Sequence, residues 1–326
     1  MDAEHSFRTR AEYVLLRALV GGIGSLPRPV AVGAGRILAG IAYHALGRLR
    51  RIAENNLVIA FPHLARVERK RILRSSFDSL GRQLGEFCRL PRVTMQELRA
   101  IVEYDPESVA SLAEAESRGR GVLFITAHLG AWELLAFAHS GLVRPLTFLI
   151  RPIDNPLIEK MIGGIRTRFG NQALSKKDAG LACMRKLKKG GTLGILADLN
   201  SLPDEGIFVP FFGKLACSTA AVAALALATG AAVFPAFAPW DRVRKKYVFL
   251  GGPAVEMLRT GDFERDLGVN TARIAQLMER IIQEYPEQWL WIHDRWHAIR
   301  RPQDRQCIEF PPLPPDIPRR RPAAAK

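Results

Sequence analysis

Residues 121–133 read GVLFITA followed by HLGAWE, and this stretch decides the fold. Seven apolar or small residues bounded by turns describe a strand buried on both faces. The residues after it, His128, Leu129, Gly130, Ala131, Trp132 and Glu133, turn tightly and open a helix. Three more short apolar runs follow, at residues 145–150 (PLTFLI), 192–197 (TLGILA) and 232–237 (AVFPAF). Helical segments separate them. Asn155-Pro156 supplies an N-cap and first-turn pair, Gly170 stops that helix, residues 179–189 end at Gly190-Gly191, and residues 218–228 end at Gly230. Strands alternating with helices predict an α/β fold, a mixed sheet with flanking helices.

Upstream, residues 13–26 and 29–46 are apolar but interrupted by Arg17, Pro27, Arg36 and His44. Each is too short or too polar for the roughly 20 clean apolar residues of a spanning helix. They read as an N-terminal helical segment that associates with a membrane by lying in its interface, with an ordinary buried helical pair as the competing reading. Residues 66–90 form an amphipathic helix with a basic face. Residues 311–322, PPLPPDIPRRRP, are Pro-rich and basic. The expected organisation is a membrane-associating segment over 1–50, a catalytic domain over 51–300 and a flexible tail over 301–326.

The 326 residues, 48% of them hydrophobic, suffice for a full-sized core, and the formal net charge of +15 asks for an acidic partner. The excess sits in residues 1–92, with 16 basic and 7 acidic side chains, and in residues 141–189, with 11 and 3. An anionic membrane surface or an acidic carrier protein suits it. Nucleic acid is disfavoured, because the Trp and Phe residues cluster in apolar segments instead of interleaving with the basic ones. Cys88, Cys183, Cys217 and Cys307 lie far apart, which fits neither a disulfide framework nor a zinc site. No metal and no cofactor is implied.

Ligand chemistry in such a sheet gathers beyond the carboxyl ends of the strands. His128 stands at the first of these ends with Glu133 in the next helical turn. At this spacing the two can face one another, and a carboxylate on Nδ1 would fix the tautomer and leave Nε2 as a base, which makes His128 and Glu133 a candidate pair. A structural His at a strand end is the competing reading. Arg151 ends the second strand, where it clamps a phosphate or forms a surface ion pair with Asp154. Asp198 ends the third, orienting a substrate or Arg151, or capping a turn. Phe211, Phe212 and Gly213 fall in an apolar loop that lines an acyl channel or closes the core. There is no G-x-S-x-G and no Walker spacing, so a nucleophilic Ser and nucleotide chemistry have no support.

Five blocks carry a resemblance: TAHLGAWE (126–133), RPIDNPLIEKMIGGIRTRFG (151–170), residues 197–214 from ADLN to IFVPFFGK, STAAVAALALATGA (218–231) and PEQWLWIHDRWH (286–297), with Asn55-Asn56-Leu57 and Phe61-Pro62 upstream. In this order the chain resembles the bacterial lipid A biosynthesis acyltransferases, within the lysophospholipid acyltransferase superfamily that includes phosphatidylinositol mannoside acyltransferases. The resemblance covers roughly residues 10–300 and implies a glycerolipid acyltransferase-like fold. It further implies a protein at the cytoplasmic face of the inner membrane that moves a fatty acyl chain from acyl carrier protein or acyl-CoA to a glycolipid hydroxyl. Carried over, His128 and Glu133 are catalytic, and Arg151, Asp198, Phe211, Phe212 and Gly213 bind substrate. A thioesterase or lipid hydrolase using the same pair on water is the alternative. The presence of both His128 and Glu133 argues against a third, non-catalytic lipid-surface binder.

Overall fold

A computed structural model describes residues 6–175 and 179–310. In chain order the elements are α1 (Phe7–Gly24), α2 (Arg28–Ala45), α3 (Gly47–Ala60), α4 (Arg66–Arg89), α5 (Met95–Ile101), β1 (Val102–Tyr104) and α6 (Pro106–Ser117). Then come β2 (Val122–Thr126), α7 (Trp132–Leu142), β3 (Thr147–Ile150), α8 (Pro156–Arg166), β4 (Gln172–Ser175), α9 (Ala179–Lys188) and β5 (Thr192–Leu196). The chain closes with β6 (Gly206–Phe211), β7 (Lys214–Thr219), α10 (Ala221–Thr229), β8 (Ala232–Phe237), β9 (Trp240–Asp241), β10 (Lys246–Gly251) and α11 (Phe263–Glu284).

The main sheet runs β1-β10-β8-β2-β5-β3-β4. From β8 to β4 all neighbours are parallel, and β10 pairs antiparallel with β8, so the sheet is mixed and flanked by helices as expected. Side chains alternate across it with period two. Leu123 and Ile125 of β2 and Val233 and Phe237 of β8 enter one core, together with α10 and α11. Phe124 of β2 and Phe234 of β8 enter a second core with α7. Being covered on both faces is what makes these strands read as unbroken apolar runs.

The N-terminal helices belong to this body. Val20, Ile23 and Ala31 of α1 and α2 are buried in the second core beside Cys88 of α4. A stripe of small residues allows the approach: a Cβ on Gly81 would stand 2.6 Å from the Gly35 carbonyl oxygen and the Arg36 Cα, and one on Gly85 would stand 2.6 Å from the Ala31 oxygen. Both obstacles are backbone, so α2 must move to admit a methyl group. Gly81→Ala and Gly85→Ala are therefore expected to lower the melting temperature, even though Ala is favoured over Gly within a helix by about 1 kcal/mol. A raised melting temperature in either variant would show that the stripe is not a close-packed seam.

Two expected boundaries shift. Residue 50 falls inside α3. At the other end, the Phe208 amide donates to the Arg305 oxygen (2.9 Å) and the Cys307 amide to the Phe208 oxygen (3.1 Å), while Cys307 itself is buried. The packed domain thus runs past residue 300, and the tail from residue 311 onward lies outside the described residues. The stretch IFVPFFGK is not a loop. It forms the antiparallel β6–β7 hairpin, in which Phe211 pairs with Lys214 around a two-residue turn. Phe212 and Gly213 occupy that turn with φ of 51° and 73°, the left-handed pair of a type I′ turn. Ser218, expected in a helix, is the penultimate residue of β7.

Among the described residues no single helix is long and apolar enough to cross a membrane, although α2 and α3, bent by 88°, pass that test as a pair.

Candidate active site

Register explains which residues meet. Thr126 of β2 pairs with Leu196 of the parallel strand β5, and the Ala197 amide continues the ladder to the Thr126 oxygen at 3.0 Å. Two residues beyond each strand end stand His128 and Asp198. The Asp198 carboxylate accepts from His128 Nδ1 at 2.9 Å, from the His128 backbone amide at 2.8 Å and from Trp289 Nε1 at 2.7 Å. A carboxylate only accepts, so Nδ1 carries the proton and Nε2 presents its lone pair. Among the described residues Nε2 has no hydrogen-bond partner. Burial by itself would raise the Asp198 carboxyl, yet the imidazole and the three donors outweigh it and hold the group below the usual aspartate range.

The His128 turn is gripped from both sides. The Gly130 amide donates to the Gln288 oxygen (3.1 Å), the Ala131 amide to the Ala238 oxygen (3.0 Å), and the Leu290 amide to the His128 oxygen (3.1 Å). Gly130 has φ 61°, and a Cβ there would stand 2.1 Å from the Ala238 oxygen, so this turn needs glycine. Asn56, buried in α3, donates to the oxygens of Trp291 (2.8 Å) and His293 (2.6 Å) and fixes the segment that carries Trp289. Behind it the buried Arg295 guanidinium donates to the Cys217 oxygen and to Ser218, and burial pushes it down to about 10. His293 Nε2 accepts from the Asn200 amide (3.1 Å), a structural bond.

Glu133 does not reach His128. At the start of α7 its carboxylate accepts from Arg166 of α8, at 3.0 Å through Nε and again through the second guanidinium nitrogen. The five-residue spacing placed a carboxylate near the imidazole in sequence, but the helix carries Glu133 away toward α8. Asp198 is the imidazole partner. It has no exposed surface, and its carboxylate is taken up by the imidazole, the His128 amide and Trp289. Phe211 is likewise fully buried and packs on Trp289 and Trp296, while Phe212 sits against Phe61 and Trp291. Neither these rings nor Gly213 lines the apolar pocket. Arg151 is exposed just past β3 and makes no ion pair with Asp154 among the described residues.

That apolar pocket opens beside the site, between the sheet and α7. Phe124, Phe148, Leu135 and Ile195 are among its apolar lining, and Glu133 and Arg166 are its charged pair. Trp132 joins pocket and base: it lines the one and meets the His128 ring edge-on at 5.0 Å. Arg166 and Trp289 went unassigned in the sequence, although both lie in blocks that carried the resemblance.

A model of the bacterial lipid A biosynthesis acyltransferases matches residues 3–298. The chain belongs to that family. It is an O-acyltransferase. The lipid A biosynthesis lauroyltransferase of Escherichia coli (strain K12) is 28% identical over 274 residues, 83% of this chain and 86% of that protein. The palmitoleoyltransferase of the same organism is 27% identical over 272 residues, again 83% and 86%. The phosphatidylinositol mannoside acyltransferase of Mycolicibacterium smegmatis is 24% identical over 234 residues, 70% and 73%.

One group on the pocket wall of this acyltransferase sets a pH limit on its stability. His139 is 2% exposed among Phe124 and Phe249, with neither ring nitrogen hydrogen-bonded among the described residues. Burial, aided by Arg144, lowers its pKa from 6.5 to about 4. Between those values the unfolded chain binds the proton that the folded chain refuses, so stability falls as pH drops through this window and is unaffected above it. The expected loss at pH 5 is about 2 kcal/mol. Melting curves at pH 7.5 and pH 5 should differ for the wild type and converge for His139→Leu. An equal pH dependence in the variant would refute the assignment.

Proposed function

We propose that this acyltransferase moves a fatty acyl chain from an acyl thioester, acyl carrier protein or acyl-CoA, to a hydroxyl of a glycolipid such as a lipid A precursor at the cytoplasmic face of the inner membrane. The observation that carries the reading is an imidazole held by a buried carboxylate, with a free Nε2, beside a pocket of acyl character. A thioester is already activated and an alcohol is a poor nucleophile at neutral pH. Base removal of the hydroxyl proton and stabilisation of the resulting oxyanion therefore suffice. His128 Nε2 takes the proton, and Asp198 stabilises the imidazolium that forms. The N-cap Ala131 brings no side-chain cap to α7, which leaves first-turn amides as donors for the oxyanion. Collapse of the tetrahedral intermediate expels the thiolate, and the imidazolium returns its proton.

Glu133 participates through Arg166. The pair stands on the pocket wall beside Trp132 and fixes a guanidinium where the acyl chain meets its polar carrier. Glu133→Gln is expected to raise the donor KM several-fold with a smaller effect on kcat. A fall in kcat alone would instead tie Glu133 to the chemical step.

Membrane association is supported by the outer side of α1 and α2, where Val14, Leu15, Ile37 and Ile41 are 59%, 72%, 67% and 59% exposed. Arg185, Lys186 and Lys188 in the last turn of α9 offer an acidic carrier protein a docking face. Lys176 and Lys177, part of the same basic stretch, lie outside the described residues. The decisive experiment mixes purified protein, acyl carrier protein or CoA thioester and a lipid A precursor, and follows acceptor mass. Addition of one acyl group supports the proposal. Release of free fatty acid with the acceptor unchanged would make the protein a hydrolase.

A further inference from the structure

On the other side of α4 from Trp132, a recess is lined by Arg36 of α2, Arg74, Asp78 and Arg82 of α4, and Trp240, Arg242 and Lys245 of the β9–β10 hairpin, with Ser75 at its edge. Five cations thus face one carboxylate. Asp78 is already engaged by Arg36 Nε at 2.5 Å. Among the described residues Arg74, Arg82, Arg242 and Lys245 have no carboxylate within ion-pair distance. The nearby Asp241 binds Arg244 and the hairpin's own amides, so it offers them no neutralisation.

Arg82 is the centre of the cluster. Its guanidinium carbon stands over the Trp240 ring, 4.2 Å from the centroid, and the residue is half-buried. Burial depresses its pKa below the usual arginine range and like charge from Arg36 adds to the effect, while Tyr247, Asp78 and Glu86 oppose it in part from beyond ion-pair distance. A half-buried cation that no carboxylate pairs directly is a costly arrangement that an incoming anion relieves. A planar guanidinium with no hydrogen-bond partner among the described residues is suited to two parallel hydrogen bonds to an anion. Lys245 holds φ 53°, an unusual angle for a residue other than glycine, at the turn that brings it and Arg242 to the recess.

The surroundings identify what carries the anion. Arg36 is followed on α2 by Ile37 and Leu38 and, one turn on, by Ile41, all exposed, and Val243 at the hairpin tip is 72% exposed. An anion-binding recess rimmed by outward apolar side chains matches a phosphate group attached to hydrocarbon better than it matches an acidic protein surface. We propose that this recess binds the phosphate of a lipid at the bilayer surface, with Arg74, Arg82, Arg242 and Lys245 as its ligands. The site shares no residue with the His128 centre, and its occupancy does not depend on acyl transfer.

The test is flotation of the full chain with phosphatidylcholine vesicles, with and without phosphatidic acid. Two variants are compared with the wild type, Arg82→Gln with Arg242→Gln and Arg74→Gln with Lys245→Gln. A control carries Arg99→Gln with Arg300→Gln, two exposed arginines elsewhere that remove the same charge. Melting temperatures establish that each is folded. Both recess variants are expected to lose affinity for the phosphatidic acid vesicles by on the order of tenfold or more, while binding to phosphatidylcholine alone and the behaviour of the control stay unchanged. Equal losses in the control would reduce the effect to net charge and overturn the site. Tight binding of inorganic phosphate without any preference for phosphatidic acid vesicles would overturn the lipid source. Unchanged flotation of the recess variants, with slower transfer only from acyl carrier protein, would reassign the recess to an acidic protein.

Discussion

Asp198→Asn is expected to slow acyl transfer by about a hundredfold to ten-thousandfold, as much as His128→Ala, while donor and lipid binding persist. The reason lies in the proton inventory. Asp198 Oδ1 accepts from Nδ1, and Oδ2 accepts from the His128 amide and Trp289 Nε1. An amide in its place keeps one acceptor, which the two donors on the Oδ2 side retain. Its NH₂ then faces Nδ1 and donates to it, so the imidazole proton moves to Nε2 and the base is blocked. The change also places an amide where a buried carboxylate was held ionised, so melting temperature must be measured beside rate. His128→Ala removes a side chain that is partly exposed and supports the fold less, and it separates chemistry from stability. Either variant turning over like wild type while melting like wild type would remove the pair from the mechanism. Loss of rate only in proportion to loss of folded protein would make His128 a structural histidine.

The place of His128 beyond a strand end was legible because its signal is local: a strand, a histidine after it and a glycine turn all fall within 13 consecutive residues. Its partner was not. Glu133 is near in sequence, whereas Asp198 is 70 residues away and becomes a neighbour only because β2 and β5 lie side by side with Thr126 opposite Leu196. Strand order and register are long-range properties that apolar runs do not encode, so Asp198 could be placed at a strand end but not beside the imidazole. The four buried strands were readable for the physical reason that both their faces are covered. The β6–β7 hairpin was missed because Phe212-Gly213 lacks the usual Asn-Gly signal and a proline at 210 is unusual within a strand, although this two-stranded ribbon is separate from the main sheet and tolerates it. α2 read as part of an interfacial membrane segment with a buried helical pair as the competing reading, and the sequence could not choose, since glycines at 35, 81 and 85 carry no apolar signal even where they form the seam with α4.

The second large effect concerns chain length. Gly194 sits in the middle of β5, opposite Phe124 of β2 and Phe148 of β3, and contributes to the wall of the apolar pocket. A Cβ there would meet nothing nearer than Leu146 Cδ1 at 3.5 Å, an ordinary contact, so the backbone position accepts a Cβ. Gly194→Leu then fills the pocket with four carbons where an acyl chain would lie. Each methylene left in water forgoes about 0.8 kcal/mol, so excluding two to four of them costs roughly 1.5 to 3 kcal/mol. In kcat/KM this is a loss of about tenfold to a hundredfold for donors long enough to reach residue 194. Shorter donors, whose chains stop before it, should keep wild-type values. A thioester series from octanoyl to hexadecanoyl reads the outcome as a shift of the optimum toward shorter chains. Uniform loss across the series would mean that the substitution disturbs the His128 turn instead, and an unshifted optimum would mean that the chain binds elsewhere. The His128–Asp198 pair remains untouched by this change, so a shortened preference with an undiminished maximal rate on short donors would assign the pocket to the acyl chain independently of the catalytic variants.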